Sequence, residues 1–346
     1  MKAIDLFPYW SDNRALLAEA TAALGDGDLD FRPAPALRSV GDVLRHIITT
    51  KEHWWHGGIH GKPYADWRAV GWERFTDAER EESRRRRFTT VPSILEGLEI
   101  AHAPLEGFLK DLDAADLCEK RQATWGQQNT LRWIVWHLVE HDQHHRAQIF
   151  ARLRMLGHTP PPIWPRPRVM GHTPAGCWRD EVVDPKDIVP FWKPLHASLR
   201  DAVSALSDAD LTFSPAPGQP TVHDLVLHLF IQEDFLIRQV LAGETGRPPG
   251  KIQGGWGRVN GSQLSAHAGP AFPTVAALLE GMDAVHAATR QAIDRMTVAD
   301  LVRTYPSPAG PEAVHHIMWY AREHAVHHRA QLFLRMRMLG RTPPEV

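Results

Sequence analysis

Apolar residues recur along this chain at steps of three and four, and nowhere is there a convincing alternation of period two. That pattern predicts helix, in four stretches per half. The first runs from Leu6 to Leu24 and again from Ile188 to Leu206, with Pro8 and Pro190 in its opening turn, where proline is tolerated. The second starts at Ser39 and Thr221, each an N-cap residue with Asp three positions on, and extends to Gly57 and Leu241. The third covers Thr90 to Leu112 and Thr274 to Met296. The fourth covers Thr130 to Leu156 and Pro311 to Leu339, stopped by Gly157 and Gly340 with a Thr-Pro-Pro stretch beyond. Gly-, Pro- and Trp-rich segments (59–89 and 243–273) separate helices two and three. The prediction is all-α: two tandem four-helix bundles with long crossovers, whose sites are built from inward-facing side chains.

The halves are copies of one another. EHDQHHRAQIFARLRMLGHTPP from Glu140 returns as EHAVHHRAQLFLRMRMLGRTPP from Glu323. DLFPYW at Asp5 returns as DIVPFW at Asp187, LDFRPAP at Leu29 as LTFSPAP at Leu211, and SVGDVLRHI at Ser39 as TVHDLVLHL at Thr221. A weaker match pairs Ile94 to His102 with Leu278 to His286. The offset stays at 182 to 184 residues, far too long for a solenoid repeat. The expected domains are therefore 1–158 and 185–346, joined by a Pro/Gly-rich linker over 159–184 whose Trp164 and Trp178 suggest packing on a surface.

Composition narrows the function classes. A length of 346 residues suits two domains, and a net charge of −2 gives no nucleic-acid-binding surface. The basic run Arg84 to Arg87 follows Glu79, Glu81 and Glu82 and reads as a solvated, self-compensating loop. No apolar run reaches the ~20 residues of a membrane span, and Asp5 and Pro8 interrupt any export signal. Cys118 and Cys177 lie far apart, which fits a reducing cytoplasm and leaves no cysteine-rich zinc site. The unusual number is 21 histidines.

Their positions point to metal chemistry. In the fourth helix the apolar face reads Ile134, Leu138, His141, His145, Ile149, and in the second copy Ile317, Ala321, His324, His328, Leu332. Histidines four apart on one face have Cβ atoms ~5–6 Å apart, and both can reach one ion. An isolated H-x-x-x-H is weak evidence; recurrence in both copies strengthens it. A third ligand from a facing helix is expected at His46 and His228, each seven residues after its N-cap and flanked by apolar residues. His144 and His327 point about 100° away and suit either the surface or the periphery of the site. His102 and His286 are weaker candidates for lining the pocket. His53, His56 and His60 have no counterparts in the second copy and are expected at the surface.

This order of parts resembles the DinB/YfiT-like family of metalloenzymes. There a four-helix bundle holds a metal by one histidine of helix two and two from an H-x-x-x-H-R-x-Q-like stretch of helix four. The matching residues are His46, His141 and His145, then His228, His324 and His328, with Arg146, Gln148, Arg329 and Gln331 in the motif tail. The resemblance covers nearly the whole chain, twice. It implies a thiol-dependent S-transferase or isomerase of the kind that uses bacillithiol or mycothiol, the thiol-binding domain of a sulfoxide synthase, or a metal-dependent hydrolase. Tandem duplication departs from the usual single domain, which often pairs as a homodimer.

Three neutral nitrogen ligands leave a coordination position open, as in catalytic sites. The expectation is two divalent ions per chain (zinc, nickel, iron or manganese), activating a low-molecular-weight thiol for S-transfer to a small-molecule substrate. The alternatives are a hydrolase that activates water and a non-catalytic metal- or ligand-binding stress protein. The copies are expected to pair within one chain about a pseudo-two-fold, giving a monomer; aromatics near Trp10 and Trp192 are candidates for the contact, with burial in the core the favoured alternative.

Overall fold

The computed structural model describes residues 2–7, 10–62, 88–163, 192–237, 271–307 and 310–345. Those up to 163 form one compact unit and those from 192 another. The first unit contains α1 (Trp10–Ala22), α2 (Val40–His53), α3 (Val91–Asp111) and α4 (Leu131–Met155). The second contains α5 (Trp192–Ser204), α6 (Val222–Asp234), α7 (Val275–Arg295) and α8 (Val314–Met338). In each unit the first two helices both pack on the last two, so helix two lies directly against helix four. Each unit is a helical bundle of the expected kind. No helix among the described residues is long and apolar enough to cross a membrane.

The helix ends follow local chemistry. Ser39 Oγ accepts from the Asp42 amide at 3.1 Å while the Asp42 carboxylate accepts from the Ser39 amide, and Thr221 and Asp224 repeat the arrangement. Gly157 and Gly340 take positive φ (84° and 73°), which lets His158 and Arg341 donate back to the Leu153 and Met336 carbonyls. The first helix is shorter than predicted because a separate 3-10 turn, Ala3–Leu6, precedes it; Pro8 and Pro190 lie outside the described residues. Helix two is shorter as an α-helix but runs on as a π-helical turn, Trp54–Ile59. Most of both crossovers, residues 238–241 at the expected end of helix two in the second copy, and the linker from 164 to 191 lie outside the described residues.

Two short antiparallel hairpins correct the expectation of no strand. They are β1 (Lys120–Gln122) with β2 (Gln128–Thr130), and β3 (Thr304–Ser307) with β4 (Gly310–Ala313). Strands of three or four residues are too short to show alternation in a sequence. β2 leads straight into α4, whose Thr130 cap accepts from the Trp133 amide.

The core of the first unit gathers Leu16, Leu17, Val43, Leu44, Ile47, Ile48, Ile94, Ile149, Phe150 and Leu153, all 0–3% exposed. Trp10 and Trp192 are buried, 5% and 2% exposed, which agrees with the favoured core reading and rules them out as exposed contact residues. One local exchange shows how the copies have drifted. In the first unit the Arg45 guanidinium donates to the Phe88 carbonyl at 2.8 Å, and a Cβ on Gly41 would lie 2.9 Å from it. In the second unit Leu227 replaces the arginine and His223 replaces the glycine, and His223 Nε2 donates to the matching Phe272 carbonyl at 2.8 Å.

The caps give a direct test. Ser39→Ala and Thr221→Ala should each cost about 1 kcal/mol. Sites in separate bundles should add. Urea denaturation of the single and double variants measures this, and an unchanged midpoint in either single variant would remove that cap from the account.

Candidate metal centres

Because α2 lies against α4, His46 faces His141 and His145. Ring centroids are 4.9 Å apart for His46–His141, 4.8 Å for His46–His145 and 4.4 Å for His141–His145. His228, His324 and His328 repeat this at 4.7, 4.7 and 4.4 Å. In each triad the ligand atoms all lie within 4.8 Å of one another. His141 Nε2 is 3.1 Å from His46 Nε2, and His324 Nε2 is 2.8 Å from His228 Nε2. Two nitrogens on one tetrahedral ion at ~2.0–2.1 Å are ~3.3 Å apart. The sites therefore fit a divalent ion, and the structure brings together the six histidines singled out in the sequence.

Apolar layers close the triads off along the helix. Leu138 and Ile149, both 0% exposed, flank the first pair on α4; Ala321 and Leu332, 1% and 0%, flank the second on α8. The ligand rings themselves are only partly buried. Burial pushes the pKa of His141, His145, His324 and His328 well below the ordinary 6.5, and neighbouring imidazoles push the same way. Burial alone takes His228 down to about 4. These rings are neutral at pH 7, with lone pairs available to a cation.

A glutamine fixes which nitrogen is presented. His145 Nδ1 donates to Gln148 Oε1 at 3.2 Å, and Gln148 Nε2 donates to His144 Nε2 at 3.0 Å. His328, Gln331 and His327 repeat the chain at 3.1 and 2.9 Å. The hydrogen-bond network thus assigns the Nδ1–H tautomer and leaves Nε2 for the ion. His144 and His327 are buried parts of this relay, at 9% and 3% exposure, and not surface residues. The motif arginines play a different part. Arg146, 0% exposed, donates to Asn13 Oδ1, and Arg329 donates to Ser198 Oγ, so each ties helix four to helix one.

The remaining histidines divide. His60 is exposed, as expected, but His53 and His56 are partly buried, and His53 stacks on Trp125 at 4.2 Å. Their packing was hidden because Trp125 is distant in sequence. His137 stacks on Trp133 at 5.1 Å, meets Trp54 at 5.0 Å, and reaches to 6.3 Å from His141, making an aromatic wall beside the first triad. Tyr320 takes its place in the second unit, 6.2 Å from His324. His102 and His286 do not join the triads. His102 sits against Lys51, with Nδ1 3.3 Å from Nζ, and Lys51 pairs with Asp142 at 2.6 Å. Burial, with Lys51 and Arg14 nearby, takes His102 to about 2.

Gln148→Leu should weaken metal binding in the first unit about 10- to 100-fold by releasing the His145 ring. Competition with a chromophoric chelator measures it, and unchanged affinity would remove Gln148 from the site. The metal-free chain should also lose stability in mild acid. The depressed histidines are neutral in the fold but take up protons near pH 6.5 once unfolded, so their contribution is complete above pH 6.5 and lost as pH falls toward 4. Thermal unfolding across that window should show a falling midpoint; a flat profile would contradict the burial argument.

Comparison with known proteins places these two centres in context. The model of the DinB family matches residues 1–166, and that of the DinB superfamily matches residues 194–332. Neither a curated protein nor a solved structure matches the chain.

Proposed function

Because this chain belongs to the DinB superfamily, in two tandem copies, we propose that it is a metal-dependent enzyme that activates a low-molecular-weight thiol for transfer to an electrophilic small molecule. The observation that supports this most is the uniformly neutral donor set, three imidazoles in each unit. Such a set leaves the full charge of a divalent ion available to an incoming anion. A bound ion would supply Lewis acidity, which lowers the pKa of a thiol and raises its thiolate fraction near pH 7.

The chain's own residues do the rest. His46, His141 and His145 would hold the ion, and Gln148 holds the His145 proton on Nδ1, away from it. Leu138 and Ile149 flank the ligand pair on α4 with buried apolar side chains. His137, Trp133 and Trp54 present aromatic faces on one side of the first centre, which suits an apolar acceptor. The thiol comes from a cosubstrate: Cys118 has no cysteine counterpart in the second copy, and neither cysteine falls in a repeated site position.

A panel of low-molecular-weight thiols with monochlorobimane as electrophile tests the reading. Metal-dependent conjugation should appear with at least one thiol. It should fall at least 100-fold in a chain carrying His141→Ala, His145→Ala, His324→Ala and His328→Ala. Full metal occupancy without turnover across the panel would overturn it in favour of a binding module.

A further inference from the structure

Among the described residues, the second unit carries another buried cluster that the first does not. His196 on α5, Glu233 on α6 and His286 on α7 are 3%, 2% and 2% exposed, and their ligand atoms lie within 4.8 Å of one another. His196 Nε2 is 3.1 Å from Glu233 Oε1, and His286 Nε2 is 3.8 Å from Oε2. Thr289 donates to Oε1 at 2.5 Å and holds the carboxylate in place.

The corresponding positions of the first unit hold a different solution. There Arg14, Lys51, His102, Leu105 and Asp142 occupy the places of His196, Glu233, His286, Thr289 and Ala325. Lys51 is neutralised by Asp142, and Arg14 by Glu99 and Glu106. In the second unit the buried cation has become an anion, its partner on helix four has become alanine, and an arginine has become a second imidazole. A leucine has also become the threonine that fixes the carboxylate. Changing Lys51 or Asp142 alone would leave the other charge buried and unpaired. Together the changes produce two imidazoles and a carboxylate around one point.

Hydrogen bonding within the cluster is incomplete. His196 Nδ1, His286 Nε2 and Glu233 Oε2 are buried without a hydrogen-bond partner, and His196 Nε2 has only the Glu233 carboxylate, 3.1 Å away. Leaving such groups buried and unpartnered is unfavourable. One proton shared with Glu233 would satisfy a single nitrogen. A divalent ion would engage both imidazoles and the carboxylate at once.

We propose that His196, Glu233 and His286 form a third metal site, specific to the second unit, for a divalent transition ion such as zinc or iron. Two imidazoles with one carboxylate are a donor set such ions accept. The rings now lie parallel, 3.6 Å apart at 3°. Their lone pairs run side by side, so binding fans them apart about the imidazole χ2, a soft torsion. Held by side chains of three helices, the ion would tie α5, α6 and α7 together.

The test removes both triads, so that its outcome does not depend on whether they bind metal. A full-length chain with His141→Ala, His145→Ala, His324→Ala and His328→Ala is equilibrated with Co(II), dialysed, and analysed for metal. One ion per chain is expected. Adding Glu233→Lys with Ala325→Asp, which installs the pair native to the first unit, should bring the count to zero with helicity by circular dichroism retained. In the otherwise wild-type chain the same two substitutions should lower the saturated ion count by one. An ion-free first variant, a retained ion that survives Glu233→Lys with Ala325→Asp, or an unchanged count in the wild-type background would each overturn the site.

Discussion

The structure turns on placing three imidazoles inside a bundle while keeping them neutral. A histidine layer amid leucine and isoleucine is unstable if charged, so burial both permits the layer and keeps its lone pairs free. Packing helix two directly on helix four makes the layer possible, since no single helix presents three ligands to one point at this spacing. The glutamine one turn beyond His145 completes it by deciding which nitrogen faces inward. The same solution appears twice, with ring separations matching to within a few tenths of an ångström.

Around that shared layer the two units have diverged. The first has His137 and its tryptophan neighbours beside the triad; the second has Tyr320. Behind the triads, one unit balances a buried lysine with an aspartate and the other sets a buried glutamate among imidazoles. The ligand layer is thus the invariant part, and its surroundings are where the units can differ in what they accept and in how they are held together.

Much of this was legible in the sequence, for a definite reason. His141 and His145 replace apolar residues on the buried face of a long helix, and the second copy reproduces the exchange, so repetition separated them from the other histidines. Ser39 and Thr221 marked helix starts because a cap is a local, short-range device. The hairpins were not legible, being too short to alternate. The relay through His144 was not, because its direction depends on packing. The cluster at Glu233 was hidden by the very criterion that found the triads: repetition reveals what two copies share and passes over what one has changed. Its signal lay in the mismatches, where Lys51 faces Glu233 and Asp142 faces Ala325 across the alignment.

The exchange between Gly41 with Arg45 and His223 with Leu227 bears on the chain's history. Tandem copies invite recombination between their halves, which would make them uniform. A crossover falling between these two positions would create one hybrid helix with histidine and arginine together, where a Cβ would lie 2.9 Å from the guanidinium and the arginine would have to shift. The reciprocal hybrid would carry glycine and leucine, leaving a carbonyl near the core without its donor. Neither hybrid would keep the parents' arrangement of one donor for that carbonyl. The two positions are thus coupled: the carbonyl's donor comes from one place or the other, and changing either residue alone disturbs both.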